Sequence, residues 1–303
     1  MMGGREIAEA ERTGAGRRVA DASGGPDPVR TEAALAAGAA QGRARRAAKR
    51  RRTALVVLTQ LVLVAGLLAL WEYGVRAGYI SGFLFGSPSA VWHFLVKGIA
   101  DGSTFRDMYI TSEETALGFL FGNAIGAAVG LALWYSPFFE RVVTPFILAL
   151  GSIPIIALAP LVIVWAGTGL ASKVLMSTLS VVVVALLAAF DGTRSTDPLE
   201  MNLLYSMGAT KWQVFRLVVV PSSLTHIFSG LKLAVGFALI GAIIGEFISS
   251  SVGLGHAIFI AGNLYNIPKV FSSLLATIVI ALAFVQIVGR IERVLMPWRR
   301  IAR

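Results

Sequence analysis

Residues 197–230 read DPLEMNLLYSMGATKWQVFRLVVVPSSLTHIFSG, a polar island between two long apolar segments. Its centre runs Gly208-Ala209-Thr210-Lys211-Trp212-Gln213-Val214-Phe215-Arg216 and closes at Pro221, with Lys211 and Arg216 on a helical spacing. A stretch this amphipathic cannot lie in hydrocarbon, where each polar group left without a partner costs several kcal/mol. The island is therefore a surface element on one aqueous side. The apolar segments around it are membrane.

Composition agrees. The chain has 303 residues, 56% hydrophobic and only 15% charged, with mean hydropathy +0.73. A soluble domain carries about 25% charged residues. Apolar stretches long enough to cross roughly 30 Å of hydrocarbon fall at about 54–75, 114–135, 144–165, 172–190, 224–248 and 270–289. Backbone groups in lipid must bond within their own segment, so each is expected to be a helix. The fold class is an all-α membrane protein with six transmembrane helices. Zero cysteines exclude a disulfide scaffold, thiolate-bound zinc and a thiol nucleophile.

Residues 1–52 form a separate region before the transmembrane domain of 53–303. They are rich in Ala, Gly and Arg and end in a basic cluster from Arg43 to Arg52. So little apolar content cannot offset ordering entropy, so an arm without fixed structure is expected, with a helix over about Thr31 to Lys49. The long apolar run that follows lacks a small-x-small ending and reads as an anchor, not a cleaved signal peptide. The basic cluster suits anionic membrane lipid, and nucleic acid is not the expected partner despite a net charge of +10. The arm, Arg141, Arg194, Lys211, Arg216, Arg290, Arg293, Arg299, Arg300 and Arg303 fall on one side of the six spans. The opposite loops hold Arg76, Lys97, Arg106, Lys173 and Lys269. By the positive-inside rule both termini and the loop of about 191–223 are expected on the cytoplasmic side of a multi-pass membrane protein.

The island resembles the EAA loop of permease subunits of bacterial ABC importers. Three further stretches are similar to the sulfonate/nitrate/taurine subfamily in matching order. These are Phe85-Gly-Ser-Pro88-Ser-Ala-Val91, Ile153-Pro154 through Pro160 and Trp165 to Lys173, and Gly245-Glu246 followed by Gly253 and Gly255. Departures are Gly86 where a proline is usual, Asn202 where an acid is usual, and Leu203 and Leu204 where alanines are usual. The resemblance implies the type I importer permease fold and a translocation path for a small organic solute such as a sulfonate, taurine or nitrate. It implies a second permease copy in a homodimer, a solute-binding protein and two ATPase subunits that hold ATP and Mg. A docking helix over Ser206 to Phe215 is then expected. Its ATPase-coupling residues would be Asn202, Gly208, Ala209, Lys211, Trp212, Phe215, Arg216 and Pro221. Trp212 reads equally as an interfacial tryptophan.

Other residues stand out on physical grounds. Pro154 and Pro160 each remove a helix hydrogen bond, giving either a packing bend or a discontinuous helix beside the path. Asn123, Gln286 and Glu246 are costly in a membrane and complete the translocation-path candidates. Asn123 and Gln286 also fit interhelical hydrogen bonds. Glu246 fits a solvated interface or a support for the loop of Gly253 and Gly255, and Lys232 fits a side chain reaching for the interface. Gly118, Gly122, Gly126 and Gly130 make a small-residue seam, expected to pack within the subunit. His93, His226 and His256 have no metal-ligand spacing. The chain has no phosphate-binding Gly-rich Lys-Ser/Thr loop and no strained nucleophile turn, so it is expected to bind no cofactor and not to be an enzyme. The alternative is a stand-alone secondary transporter or channel, which would want inverted repeats and more intramembrane charge.

The absence of cysteine makes topology directly testable. Cysteines introduced one at a time at Ser103, Ser251 and Ser222 are expected to react with an impermeant thiol reagent outside intact cells at the first two positions only. Labelling at position 222 would invert the orientation.

Overall fold

The computed structural model describes residues 28–296, with side chains from residue 51 onward. Every regular element among the described residues is helical. Helix α1, Pro28–Arg76, carries the first apolar span over Arg51–Arg76. Its backbone continues through the basic cluster with no break at residue 52. Residues 1–27 of the arm, and Trp298, Arg299, Arg300 and Arg303 of the tail, lie outside the described residues.

Short helices α2, Gly82–Phe85, and α3, Pro88–Ala100, lead to α4, Ser103–Leu133. Gly86 between α2 and α3 has φ +65. A proline ring holds φ near −65°, so this turn cannot take the residue usual there in similar sequences. Ser87 then caps α3, accepting from the Ala90 N–H at 3.3 Å, with Pro88 in the first turn. Helix α4 begins well before the Glu114 expected for this span. Its first turns carry Asp107 and Thr111, which bond to other elements instead of meeting lipid.

The apolar stretch 144–165, expected as one helix, is two. Helix α5, Pro137–Gly151, and helix α6, Ile155–Ala166, meet at 94°. Pro154 is the cause: it has no N–H to donate, and it disfavours helical geometry at Ile153 before it. Pro160 sits inside α6 without breaking it. Proline position therefore matters more than proline presence.

Helix α7, Leu170–Arg194, is the centre of the bundle. Two further pieces follow the polar loop, α8 over Pro198–Ser206 and α9 over Lys211–Val214. A π-helical turn, Phe215–Val219, joins α9 to α10, Val220–Ser249. Together Lys211–Ser249 make one span of 39 residues. The wide turn lets the Val220 N–H reach the Phe215 carbonyl just before Pro221, which has no N–H to give. Helix α11, Leu254–Asn263, and α12, Ile267–Leu295, complete the fold.

Glycines place α4 and α10 against α7. A Cβ at Gly118 would meet the Ser177 Oγ at 2.1 Å, one at Gly122 the Val181 Cβ at 2.6 Å, and one at Gly126 the Val182 carbonyl at 2.4 Å. One at Gly130 would meet the Leu186 carbonyl at 2.4 Å. The seam is thus a contact within the subunit, as its spacing suggested. On the other side a Cβ at Gly241 would lie 2.6 Å from the Met176 carbonyl, and Ser177 Oγ donates to the Ala238 carbonyl at 3.0 Å. Helices α10, α11 and α12 enclose a second apolar cluster of Val235, Leu239, Leu254, Ala276 and Ile280. Lys232 does not reach out alone; it pairs with Glu292 of α12.

A Gly126→Val substitution forces a branched side chain into a backbone carbonyl and is expected to cost about 1–3 kcal/mol or more. The expected result is loss of the monodisperse peak when detergent-extracted protein is run by size exclusion. Gly236→Ala, also in a membrane helix but with no atom within 4 Å of the added Cβ, should elute like the wild type. Equal behaviour of the two variants would refute the seam.

Candidate functional site

The polar island folds as helix, turn, helix. Asp197 caps α8 by accepting from the Leu199 N–H at 2.8 Å, with Pro198 next. The helix ends in a paired turn: Gly208 N–H donates to the Tyr205 carbonyl at 3.0 Å and Ala209 N–H to the Leu204 carbonyl at 3.0 Å. This ending needs a left-handed residue, and Gly208 supplies φ +82. Thr210 then starts α9 with a reciprocal cap on Gln213. The docking helix expected over Ser206 to Phe215 is therefore not formed. Its middle is the turn at Gly208, and the helix that stands on the surface is α8.

Lys211 faces its own subunit. Its Nζ donates to the Tyr135 carbonyl at 2.7 Å and lies 5.6 Å from the Trp134 ring centre and 5.0 Å from that of Tyr135. Phe215 stacks on Trp134 and on Trp212, each at 5.5 Å. A second tie lies close by in sequence, where Arg194 at the end of α7 pairs with Glu140 of α5 at 2.9 Å. Asn202, Gly208, Trp212, Arg216 and Pro221 are exposed, while Ala209 and Phe215 are half-buried. Leu199 and Met207 are 75% and 74% exposed, and Leu203 is also open. The island thus presents an apolar outer surface on an anchored base.

The other end of α10 holds a buried polar knot. Glu246 accepts from the Thr111 hydroxyl at 2.6 Å and from the Gly255 N–H. Thr111 in turn accepts from Leu254 N–H at 2.9 Å, and Asp107 accepts from Gly253 N–H at 3.0 Å. Gly253 has φ +103, and a Cβ there would lie 2.4 Å from the Glu246 carboxylate, so the loop passes as closely as glycine allows. Lys173 of α7 donates to the carbonyls of Thr168 and Ser249.

The path candidates do not converge on one surface. Glu246 is fully buried in the knot. Asn123 is buried, donates to the Phe119 carbonyl of its own helix at 2.7 Å, and borders a cavity of about 330 Å³ with Ala185 and Leu231. Gln286 is exposed on α12. Pro154 and Pro160 are exposed, and the break at Pro154 opens beside a cleft of about 500 Å³ lined by Ile156, Val183, Phe237, Ile240 and Ile244.

The sequence profile described as "Binding-protein-dependent transport system inner membrane component" matches residues 122–301. The chain belongs to this permease family. The riboflavin transport system permease protein RibX of Chloroflexus aurantiacus is 32% identical over 232 residues, which cover 77% of this chain and 87% of that protein. The taurine transport system permease protein TauC of Escherichia coli is 25% identical over 240 residues, 78% of this chain and 87% of that protein. The inward-facing MetNI methionine ABC transporter shares the permease fold at TM-score 0.59 and 20% identity, covering 64% of this chain and 97% of that chain. This permease is accordingly a multi-pass inner-membrane transport component.

Reading the sequence missed Thr111, Glu114 and Lys173 as parts of one polar knot. A signal was present: Thr111, Glu114 and Thr115 sit at i, i+3 and i+4, on one helix face. Nothing in the chain order shows that this face meets Glu246.

Lys211→Met keeps the aliphatic stem of the permease's anchor and removes its charge. Loss of the cation–π and carbonyl contacts, about 1–2 kcal/mol, is expected to lower ATP-driven uptake by roughly tenfold with unchanged membrane insertion. Full uptake by this variant would show that the base of the island needs no such anchor.

Proposed function

We propose that this permease works as a homodimer with two ATPase subunits and a solute-binding protein, importing a small organic solute of the sulfonate, taurine or nitrate kind. ATP and Mg belong to the ATPases, and both permease termini lie on the ATPase side. Helix α8 is the docking element, entering a groove on the ATPase with Leu199, Leu203 and Met207, while Trp212 rims the contact. Apolar side chains this open and this close together on a polar loop want a partner surface.

Coupling follows from how the island is held. Lys211 and Phe215 join its base to the corner between α4 and α5, and Arg194 joins α7 to α5. The same residues open a single helical rod, Lys211–Ser249. A push on α8 is therefore delivered to a rod whose Phe237, Ile240 and Ile244 line the cleft beside the α5–α6 break. Rigid-body tilting of this kind is how ligand closure at one site becomes opening at another. The cleft is lined by apolar side chains and Ser180, with no charged group among its lining residues. A fixed ion pair with an anionic solute is thus absent from that surface, which supports selection by the binding protein. The observation that carries the reading is the family match joined to an exposed apolar helix on an anchored base.

The test uses Leu203→Asp combined with Met207→Asp, in the permease reconstituted with its ATPase and binding protein. Solute-stimulated ATP hydrolysis is expected to fall by about tenfold or more, as when a central apolar anchor is lost from an interface, with melting of the permease unchanged. Undiminished stimulation would remove α8 from the docking role. Uptake driven by an ion gradient without ATP would instead favour a secondary transporter.

A further inference from the structure

Helix α3 has 13 residues, about 20 Å at 1.5 Å per residue, too short to cross hydrocarbon. Both of its ends lie at the end of the bundle opposite the polar island. Before it, a Cβ at Gly86 would lie 3.2 Å from Pro268 in the first turn of α12. After it, Asp101 accepts from the Ser103 N–H at 2.9 Å and lies within electrostatic reach of Lys269. The helix therefore crosses the start of α12 instead of running along it. Its own start is pinned by Glu72, which accepts from the Ser89 N–H at 3.0 Å and the Ser89 hydroxyl at 2.9 Å.

Three strips divide the surface of α3. Val91 and Gly98 are buried, and a Cβ at Gly98 would meet the Thr104 Oγ1 at 2.3 Å, so this strip faces the protein. Trp92, Val96 and Ile99, at i, i+4 and i+7, are 66%, 46% and 45% exposed. His93 and Lys97 form the next strip, exposed and polar. Apolar exposure continues in the flanking chain, at Phe83, Leu84 and Phe85 of α2 and at Phe105 and Tyr109 of α4. One protein-facing strip, one open apolar strip and one polar strip are what a helix at a bilayer surface needs.

We propose that α3 lies in the plane of the membrane, with Trp92, Val96 and Ile99 resting in the phospholipid leaflet and Lys97 at the level of the lipid phosphates. Depth follows from the crossing point, because Pro268 and Lys269 are among the first residues of a membrane span. Direction follows from packing: α3 sits against α4 and α12, both spans, so its open side looks away from the bundle toward lipid. The indole of Trp92 and the ammonium of Lys97 are the side chains suited to the boundary between acyl chains and headgroups. The polar strip carries Lys97 and no acid, which matches an anionic headgroup. Held to α4 at Thr104, the helix ties the leaflet to the turns of α4 whose Asp107 and Thr111 bond the loop at Gly253 and Leu254. This placement depends neither on the solute carried nor on the ATPase.

The test uses the cysteine-free chain. Trp92→Cys, Val96→Cys, Ile99→Cys, His93→Cys and Lys97→Cys, one at a time in the full-length permease, are labelled with an environment-sensitive fluorophore. Each is placed in nanodiscs of phosphatidylethanolamine and phosphatidylglycerol. Quenching is read with aqueous iodide and with lipids whose nitroxide lies just below the headgroup or at the chain end. At 92, 96 and 99 the shallow nitroxide is expected to quench at least about twofold more strongly than either iodide or the deep nitroxide, as for a face about 5–10 Å into the boundary. At 93 and 97 iodide is expected to quench most. Strong iodide quenching at all five positions, the result for a helix standing in water, overturns the proposal. So does protection of 92, 96 and 99 from both iodide and nitroxide, the result for a strip covered by a second copy, and so does loss of nitroxide quenching when the solute-binding protein is added. Should the labelled variants fail to insert, the unlabelled protein decides: shallow-nitroxide quenching of its tryptophan emission is expected to fall with Trp92→Phe, and no change overturns the placement. No transport is measured, so a failure here leaves the importer reading untouched.

Discussion

Helix α7 touches α4 along one side and α10 along the other, and on both sides glycine brings backbone to backbone. In lipid there is no hydrophobic gain from bringing two apolar helices together, because the tails are as apolar as the side chains. Close van der Waals packing and interhelical hydrogen bonds must hold the bundle, and both fall steeply with distance. The rows at Gly118, Gly122, Gly126, Gly130 and Gly241, with the Ser177 hydroxyl bonded to the Ala238 carbonyl, are how this chain secures that proximity. The buried polar groups that α4, α7 and α10 bring together are positioned by this three-helix contact.

The polar knot is a consequence. With α4 and α10 set on α7, Thr111 and Glu114 of α4, Lys173 of α7 and Glu246 of α10 gather at one end of the bundle. Glu246 then supplies acceptors for a loop of backbone N–H groups that would otherwise be buried without partners. Gly253 and Gly255 are required there because the carboxylate fills the space a side chain would need. The opposite end of the rod is held by the Lys211 ammonium on the faces of Trp134 and Tyr135 and by Phe215 stacked on Trp134. One helix, Lys211–Ser249, thus has its base in the polar loop and its tip in a buried charge cluster. Such a rod is suited to transmit motion because neither end is free to slide.

Much of this was legible in the chain. Hydropathy and length mark the membrane segments because the bilayer tests each residue in the same local way, whatever its neighbours in space. Glycine spacing announced the seam, and the order of four motifs announced the permease family. The errors were also local. The stretch 144–165 is apolar throughout, so hydropathy could not separate one straight span from two helices meeting at 94°. At 206–215 the left-handed turn at Gly208 divides a segment whose amphipathic pattern reads as continuous.

The sequence by itself determined that this is a multi-pass helical membrane protein of the binding-protein-dependent transport family, and where its polar loop falls. Only the tertiary structure decided which polar groups meet. Lys211 is charged on any reading, but its turn toward Tyr135 and Trp134 depends on where α4 ends in space. Glu114 reads as the edge of a span until packing puts it beside Glu246, far away in the chain. The physical reason is one of range: transfer into lipid is set residue by residue, whereas a charge or hydrogen bond takes its meaning from a partner that chain order does not name.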